Sequence, residues 1–558
     1  MKIQLFLYHN EENKTYTYTD VNNKSIKTIL HELDLDYSNI YTMVLNNQSV
    51  SLDYILKDSD KDSYLYLFHK QSKQGWKIYR NTLFHLFVYA SKLILPDCKI
   101  KILHSLNKGL CCEFENIHSI TQNQITLIKN KILELIDSSL PISEETLTKE
   151  ELVSYLISKE HYDKIDLIRY SKEKNFKVYN LLNHKIYSYE QLLSNTKLID
   201  IFDIKQLTEN GVMLLIYNRY KPTELAKYKP LNRVLDIYEE QKRQATILNI
   251  DMLCDLNNKI DSHEYTEVVN VCEILHEKKI AQIAHMIKER GKRIILLSGP
   301  SSSGKTTSSK RICTHLKVLG LNPLQISLDN YFVNREVTPL DKYGKPDFES
   351  IYALDLKQFN ADLNHLLKGE KVCLPTFCFE NGCRKHSSQY TEIENDQPIV
   401  IEGIHALNNL LTSEIDDSLK FKIYVCPLTQ LNLDYDNRIS TTDIRLIRRI
   451  VRDSQFRGFD ARRTLGMWDS VRRGEKKNIF PFQENADIMI NSELTYELCV
   501  LKKYVKPLLE EISYTEGEIF FEAQRILNVL KNFKSVENEY IIPPTSLLRE
   551  FIGGSCYN

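Results

Sequence analysis

The sequence of 558 residues lacks the features that mark membrane, secreted and nucleic-acid-coating proteins. Its formal net charge is −1, so no excess of positive charge is available to hold a polyanion, and we expect no DNA partner. The first residues lack the long apolar core of a signal peptide, and no uninterrupted apolar run is long enough to cross a bilayer. These absences predict a cytoplasmic protein with no membrane partner.

The cysteine content is far below that of a disulfide-stabilised scaffold. Twelve cysteines among 558 residues do not make a disulfide framework, and we expect reduced thiols inside the cores. Cys373, Cys378 and Cys383 recur at equal intervals, but that spacing fits no common zinc pattern, so we interpret them as ordinary thiols. The chain is too long for one ordinary core and predicts several domains.

The strongest chemical signal is the stretch Gly299-Pro-Ser-Ser-Ser-Gly-Lys-Thr306. It follows an apolar run at 294–297 and precedes helical spacing over 307–319, which gives the strand–loop–helix pattern GxxxxGK(S/T). Glycines let backbone N–H groups approach a triphosphate, and the following helix directs its positive end at the phosphates. We predict that Lys305 bridges the outer phosphates of ATP, with GTP left open as donor, and that Thr306 holds Mg²⁺. The predicted ATP-binding residues are Gly299, Pro300, Ser301, Ser302, Ser303, Gly304, Lys305, Thr306 and Thr307.

Further apolar runs, separated by helical segments, predict an α/β domain whose parallel sheet has helices on both faces. These runs span 324–328, 398–401, 421–425 and 486–490. Ligands bind beyond the carboxyl ends of such strands, so the acids that follow two of them are candidate site residues. Asp329 is suited to take the proton of an attacking hydroxyl, and the alternative is a helix N-cap. Glu402 is suited to the Mg²⁺ shell, and the alternative is a buried structural carboxylate.

The helix predicted over 443–453 carries arginines at helical spacing. Arg445, Arg448, Arg449 and Arg452 fall on one face, and Arg457 comes just after the helix. An arginine-rich face beside a nucleotide site fits a lid that closes on the transferring phosphoryl group. The alternative is a solvated face with salt bridges, which applies most to Arg445 and Arg448. Further basic residues follow, which we interpret as a loop: Arg472, Arg473, Lys476 and Lys477.

Over residues 294–490 these motifs resemble those of uridine kinase and its relatives, including phosphoribulokinase. Besides the phosphate loop, the resemblance lies in Ser327-Leu-Asp-Asn-Tyr-Phe332, Asp347-Phe-Glu349, Leu374-Pro-Thr-Phe-Cys-Phe379, Ile401-Glu-Gly-Ile404, Arg448-Arg-x-x-Arg-Asp453 and Arg457-Gly458. It implies a P-loop kinase fold and the phosphorylation of a nucleoside, a small-molecule substrate.

The resemblance also implies roles around the acceptor. Asp329 would be the base for the nucleoside 5′-hydroxyl, and Lys305 would neutralise the phosphates. The lid would be served by Arg449, Arg452 and Arg457. Glu349 stands where the family has an aspartate that grips the ribose hydroxyls. The other implied substrate contacts are Tyr331, Phe377, Phe379, Arg384 and Arg449. For the two phenylalanines, core packing is an equal alternative.

Two departures from the family pattern concern the acceptor. Glu349 is one methylene longer than the family's aspartate, and Gly382 falls where uridine kinases place a base-reading histidine. A site that lacks a hydrogen-bond donor discriminates less well. The acceptor can therefore differ from uridine.

The front half resembles the corresponding part of a threonyl-tRNA synthetase, with a small β-grasp domain over 1–72 and an α+β editing-type domain over 73–230. The resemblance lies mainly in Phe84-His-Leu-Phe-Val-Tyr-Ala90 and Gly109-Leu-Cys-Cys-Glu-Phe114. In that family two histidines four residues apart lie on one helix. Here His85 matches the second histidine and Asn81 stands at the first, so we expect that the hydrolytic site is lost and that tRNA is not bound.

The remaining predicted boundaries are a helical connector over 231–291, the kinase domain over 292–515, and a C-terminal helix and tail over 516–558. We predict an ATP-dependent nucleoside kinase, with the oligomeric state left open. The alternatives are a kinase of another small hydroxyl compound, such as a sugar phosphate, and an RNA-binding or regulatory protein with an ATP switch. The enzyme hypothesis requires that Asp329 face the nucleotide and that the protein's own side chains leave the phosphate loop open.

Overall fold

The structure is a computed structural model that describes residues 2–9, 12–19, 23–60, 62–106, 109–341, 344–378, 381–386, 389–429 and 431–557. A small mixed sheet comes first, followed by an α+β region, connecting helices and a parallel-sheet domain. Among the described residues, no helix combines the length and the apolar character that a membrane span needs.

Residues 2–72 form a mixed sheet packed on one helix. The elements are β1 (Ile3–His9), β2 (Glu12–Tyr18), α1 (Ile26–Glu32), β3 (Ile40–Leu45), β4 (Gln48–Val50) and β5 (Ser63–His69). The strand order is β2-β1-β5-β3-β4, in which β1 and β5 are parallel and the other pairs antiparallel. Ile26, Ile29 and Leu30 of α1 pack on one face of this sheet, so the helix and sheet share a core.

Residues 73–230 contain two antiparallel sheets. The elements are α2 (Lys73–Ile94), β6 (Ile100–Leu106), β7 (Gly109–Phe114), α3 (Gln122–Asp137), β8 (Ile142–Thr148), α4 (Lys149–Ser158), α5 (Tyr162–Tyr170), β9 (Asn175–Leu181), β10 (His184–Ile186), β11 (Phe202–Gln206), β12 (Gly211–Asn218) and β13 (Lys221–Leu225). One sheet has the order β11-β12-β7-β6, with β13 paired to β12, and the other has the order β10-β9-β8. The helices α2 and α3 pack on the larger sheet.

His85 on α2 is buried in this region, and burial lowers its pKa to about 4. Asn81 donates to Glu190. Within the described ranges, no group of three His, Cys, Asp or Glu side chains has the arrangement of a metal site. His85 is therefore a neutral core histidine.

Three helices follow, namely α6 (Asn232–Leu248), α7 (Leu253–Asp261) and α8 (Tyr265–Glu289). The sequence predicts a connector here, but α6 and α8 also pack on opposite faces of the parallel sheet. Val234 and Ile237 of α6 join the core on one face, and Ile280, Ile283 and Ile287 of α8 join the core on the other. These helices are thus layers of the domain that follows them.

The parallel-sheet domain is built on β14 (Ile294–Ser298), β15 (Leu324–Ser327), β18 (Ile399–Glu402), β19 (Lys420–Cys426) and β20 (Ile488–Asn491). A separate hairpin is formed by β16 (Pro375–Cys378) and β17 (Cys383–His386). The strand order of the main sheet is β15-β18-β14-β19-β20, and all neighbours are parallel. Every residue of β14 and β18 is buried, as expected for strands covered on both faces. The predicted parallel sheet is confirmed.

The helices of this domain are α9 (Lys305–Val318), α10 (Leu356–Leu367), α11 (Thr441–Phe456), α12 (Ala461–Asn478) and α13 (Glu497–Glu510), followed by α14 (Glu518–Leu530) and α15 (Arg549–Ile552). The helix α9 packs with α8 on one face of the sheet, and α10 packs with α6 on the other face. The basic residues at 472–477 belong to α12, so the prediction of a basic loop is wrong. Lysine and arginine are good helix formers, and Asp460 caps the start of this helix.

A loop of the parallel-sheet domain inserts against the front half. Asn432 Nδ2 donates to the Ile102 carbonyl at 2.6 Å. Asp436 and Asp434 lie 2.6 and 3.3 Å from the buried Lys164 Nζ. Buried charges are tolerated when they are paired, so this loop joins the two halves through matched charges as well as hydrogen bonds.

Candidate active site

The phosphate loop connects β14 to α9 through two close backbone approaches. A Cβ at Gly299 would lie 2.2 Å from the Val425 carbonyl oxygen, so no side chain fits there. Gly304 has φ of +81°, a left-handed conformation that glycine adopts at low cost, and it directly precedes Lys305, the first helical residue. Gly304 has no side chain to cap α9, so the first N–H groups of this helix are not capped by the residue that precedes it.

The back of the loop is fastened to α11 and α12. Arg445 Nε donates to the Ser301 carbonyl at 2.9 Å, and Arg449 Nη1 donates to Ser301 Oγ at 2.8 Å. The Ser301 N–H donates to Glu475 Oε1 at 3.1 Å. These contacts fix the loop before any ligand arrives.

Two arginines of α11 are structural. Arg445 and Arg448 are 1% and 0% exposed, and they pair with the buried Glu475 and Glu497. A buried guanidinium needs a partner carboxylate, and each has one. The interpretation as a solvated helix face is therefore wrong at these two positions, and neither side chain is free to move as part of a lid.

Acidic and basic groups meet where β15, β18 and the loop end. Asp329 follows β15 in a short 3-10 turn whose N-cap is Ser327, so Asp329 is not the cap, and its side chain is solvent-exposed. Desolvation of the carboxylate by the surrounding protein raises the pKa of Asp329, while the charges of Lys305, Arg457 and Arg452 oppose that rise. Asp329 therefore lies in one electrostatic environment with the loop lysine and two arginines.

Glu402 closes the same cleft from the end of β18. It is 7% exposed and accepts a hydrogen bond from Ser327 Oγ at 2.9 Å. Burial, and then the negative charge of Asp329, raise the pKa of Glu402 to about 7, while Lys305 opposes the shift. Lys305 Nζ itself donates to the Pro300 carbonyl at 3.0 Å.

The donor set fits a magnesium nucleotide. Thr306 is exposed at the start of α9, directly after Lys305. Asp329 and Glu402 are hard oxygen ligands whose raised pKa values a bound cation would lower again. Thr306 and Glu402 are the residues that would hold the cation and its water shell, with the N–H groups of α9 toward the phosphates.

Glu349 reaches the cleft from the loop before α10. Asn478 Nδ2 of α12 donates to the Glu349 carbonyl at 2.6 Å. A Cβ at Gly474 would lie 2.3 Å from Glu349 Cβ, so the glycine in α12 leaves room for this side chain. Burial raises the pKa of Glu349 to about 7, while Arg449 and Lys305 oppose the rise. The Glu349 side chain therefore lies within the field of Lys305, and α12 positions it.

Arg449, Arg452 and Arg457 converge on one buried acid. Asp453, which is 0% exposed, accepts an ion pair from Arg449 Nε at 3.2 Å and from Arg452 Nη2 at 2.9 Å, and Arg457 Nε lies 3.7 Å away. The Arg457 side chain is half-exposed and lies at the end of α11, so it has the most room to move toward a ligand.

The acceptor-side residues are placed differently from one another. Tyr331 is 1% exposed, and its hydroxyl donates to Asp362 at 3.0 Å, so the structure places it in the core and not in the cleft. Phe377 is largely buried, with its ring 5.8 Å from that of Phe332. Arg384 pairs with Asp355 at 2.9 Å. Phe379 lies outside the described residues.

Sequence reasoning assigned no role to a further group of acids that touch the site, namely Asp453, Glu475, Glu497 and Glu550. Glu550 is the most notable, because its Oε2 accepts hydrogen bonds from the Thr307 N–H at 3.3 Å and from Thr307 Oγ1 at 2.6 Å. Asp453 lies within one helical turn of its arginine partners, whereas the three glutamates meet theirs only through the tertiary fold. The loop is exposed at Thr306, but a protein carboxylate occupies Thr307, so the expectation that the protein's own side chains leave the loop open is wrong at Thr307.

Comparisons with known proteins agree with this geometry. The sequence profile of the Phosphoribulokinase / Uridine kinase family matches residues 294–498. The uridine kinase of Macrococcus caseolyticus is 31% identical over 198 residues, which are 35% of this chain and 86% of that protein. The uridine kinase of Clostridium tetani is also 31% identical over 198 residues, which cover 35% of this chain and 85% of that protein.

Solved structures show weaker likenesses. A structure described as a possible uridine kinase from Bacillus stearothermophilus is 18% identical and covers 38% of this chain and 98% of its own, with a TM-score of 0.26. The D-glycerate 3-kinase from Cryptococcus neoformans is 14% identical and covers 46% of this chain and 88% of its own, with a TM-score of 0.22. On the sequence matches, the chain belongs to the phosphoribulokinase/uridine kinase family and is a phosphotransferase that acts on a hydroxyl substrate.

Proposed function

We propose that the protein transfers the γ-phosphoryl group of ATP to the 5′-hydroxyl of a nucleoside. The observation that carries the proposal is the exposed position of Asp329, at the end of β15, within the electrostatic reach of Lys305, Arg457 and Arg452. A carboxylate in that place can receive the proton of an acceptor hydroxyl, and the cations beside it can stabilise the phosphates.

Different residues of the chain would bind the phosphates, hold the cation and accept the proton. Bound Mg²⁺–ATP supplies the phosphoryl group and a cation that neutralises its charge. Lys305 and the N–H groups of the loop bind the phosphates, while Thr306 and Glu402 hold the cation's shell. Asp329 orients the acceptor and takes its proton. Because phosphoryl transfer needs little covalent help from the protein, positioning and charge are the main contributions.

A panel of nucleosides and sugar phosphates tests the acceptor. The purified chain is incubated with Mg²⁺ and ATP, ADP release is followed, and the product is identified by mass spectrometry. We expect turnover with at least one nucleoside and a nucleoside monophosphate as product. Turnover of another alcohol with none of any nucleoside would contradict the nucleoside proposal and leave the phosphotransferase intact.

One observation favours a second candidate acceptor, a small hydroxyl compound that carries a phosphate. Gly382 has φ of +65°, and a Cβ there would lie 2.3 Å from Arg335 Cδ. The side chain of Arg335 thus lies where a base-reading side chain at position 382 would begin. Arginine recognises phosphate through its planar fork, so this exchange suits a phosphorylated acceptor.

For the front half we propose a β-grasp domain followed by an editing-type domain without hydrolytic chemistry. The support for the first is the order β2-β1-β5-β3-β4, with parallel central strands and one helix. The support for the second is the burial of His85 and the pairing of Asn81 with Glu190. Measured binding of tRNA by the full chain would contradict our expectation that this half no longer serves a tRNA.

A further inference from the structure

The phosphate loop is approached by the segment 541–557, which we call the strap. Leu547, Leu548 and Phe551 of the strap are buried in the core that also contains α11 and α13. Leu547 lies against Gly304, since a Cβ on that glycine would be 2.4 Å from Leu547 Cδ1. The Ser546 hydroxyl donates to Glu273 Oε1 at 2.6 Å. The backbone of the strap is therefore anchored beside the loop.

Glu550 is the strap side chain that reaches the loop. Its carboxylate takes hydrogen bonds from the N–H and the hydroxyl of Thr307, the third residue of α9. The first N–H groups of a helix have no partner within the helix, and they form a natural site for an anion. A charged carboxylate in this place makes charge-assisted bonds of the kind that a phosphate oxygen would make.

We propose that Glu550 is a built-in competitor for a nucleotide phosphate and thereby sets the affinity of the loop for its donor nucleotide. This inference rests on the proposed function, because it concerns the nucleotide that the loop binds. The Thr307 donors cannot serve two anions at once, and a phosphate beside a carboxylate is repelled. A nucleotide can enter fully only when the Glu550 side chain turns away, while the rest of the strap stays packed.

The same electrostatics reach the acids of the cleft. Burial is the largest cause of the raised pKa of Glu402, Asp329 contributes next, and the charge of Glu550 adds to the rise. The charge of Glu550 also acts on Lys305, where it opposes the lowering of the pKa by burial. Glu550 thus shares the field of the residues that would hold the phosphates and the cation.

A simpler role is a structural helix cap, and the two roles give opposite results. A cap that only stabilises α9 would, when removed, lower Tm and leave nucleotide affinity unchanged or weaker. A competitor would, when removed, tighten nucleotide binding. If the carboxylate occupies the loop for nine-tenths of the time, its removal tightens binding by about tenfold.

The test compares the wild type with Glu550→Ala by calorimetric titration with Mg²⁺ and the β,γ-methylene analogue of ATP. We expect Kd to fall by about tenfold or more in Glu550→Ala, and KM for ATP to fall in parallel with little change in kcat. Glu537→Ala is the matched control, because Glu537 is an exposed glutamate just before the strap, and it should leave Kd unchanged. Tm is measured first for each variant. Glu550→Gln, which keeps the shape of the side chain and removes its charge, replaces the alanine variant if that variant does not fold, and it should lower Kd in the same direction.

The outcomes separate this inference from the proposed function. Unchanged or weaker binding in Glu550→Ala, with wild-type binding and transfer intact, would overturn the inference and leave the kinase proposal standing. Absence of analogue binding in the wild type and both variants would overturn the inference together with ATP as the donor.

Discussion

Replacing Asp329 by asparagine tests the proposed base with little change in shape. The amide cannot accept a proton, and a positioned general base contributes 10²- to 10⁴-fold to a rate. We therefore expect kcat for the acceptor to fall by about 10²- to 10⁴-fold, which corresponds to about 3–5 kcal/mol of barrier. The side chain is exposed, so the substitution leaves no buried group without a partner.

Nucleotide binding should respond very differently to the same substitution. Asp329 shares the field of Lys305, Arg452 and Arg457, and its loss frees these cations for the phosphates. At an exposed site such an interaction amounts to about 1 kcal/mol, so Kd for ATP should tighten by at most about fivefold.

The measurement is a split between binding and transfer. Equilibrium dialysis with Mg²⁺–ATP gives Kd, and single-turnover formation of the phosphorylated product gives the rate of the chemical step. Asp396→Asn is the control, because Asp396 is an exposed aspartate of the same domain, outside the cleft. Undiminished turnover in Asp329→Asn would remove Asp329 from the mechanism, whereas loss of ATP binding would make it a binding residue.

Three further predictions concern the pH dependence of stability, the position of Glu349 and the role of Tyr331. The pKa of Glu402 rises from its ordinary value of 4.5 to about 7 on folding, so the folded state binds more protons between these pH values and its stability falls as pH rises through them. In urea unfolding, the free energy of unfolding of Glu402→Gln should therefore rise by about 3 kcal/mol relative to that of the wild type between pH 4.5 and pH 7, and the variant should lose phosphoryl transfer. A difference between variant and wild type that does not change with pH would contradict this prediction. Gly474→Ala should destabilise the fold by about 1–3 kcal/mol and raise KM for the acceptor, because the new methyl group would clash with Glu349. Gly466→Ala in the same helix is the control, because a Cβ there would meet Ile519 at an ordinary distance of 3.8 Å, and it should stabilise the fold by up to about 1 kcal/mol. Tyr331→Phe should leave KM for the acceptor unchanged and lower the free energy of unfolding by about 1 kcal/mol, since its hydroxyl bonds Asp362; a large rise in KM would return it to the substrate site.

Local signals predicted the framework of the site. The strand–loop–helix pattern placed Lys305 and Thr306 at the start of α9, and the apolar runs placed Asp329 and Glu402 at the ends of β15 and β18. Each of these features depends on residues within a few positions of one another, or on the shared direction of parallel strands. The periodicity of the α11 arginines was also visible, but periodicity does not say whether a charged face meets solvent or a buried acid.

What the sequence could not supply are contacts across long separations. Glu475 meets the Ser301 N–H across more than one hundred residues, and Glu550 meets Thr307 across an even longer separation. A glutamate in a helix looks the same in sequence whether it faces water or a phosphate loop. The role of Gly474 was equally hidden, because it depends on the closeness of Glu349 in space.

The buried arginines of α11 explain how a loop can be both rigid and available to a ligand. Arg445 binds the Ser301 carbonyl and pairs with Glu475, which in turn accepts the Ser301 N–H, so the back of the loop is closed by one connected set of charges. Removing one member of such a set leaves a buried charge without a partner, at a cost of about 3–5 kcal/mol. The front of the loop differs, because Thr306 is exposed and the Thr307 hydroxyl bonds the partly exposed Glu550. A phosphate site needs a fixed backbone to hold the phosphate in one geometry, and accessible contact groups so that the product nucleotide can leave.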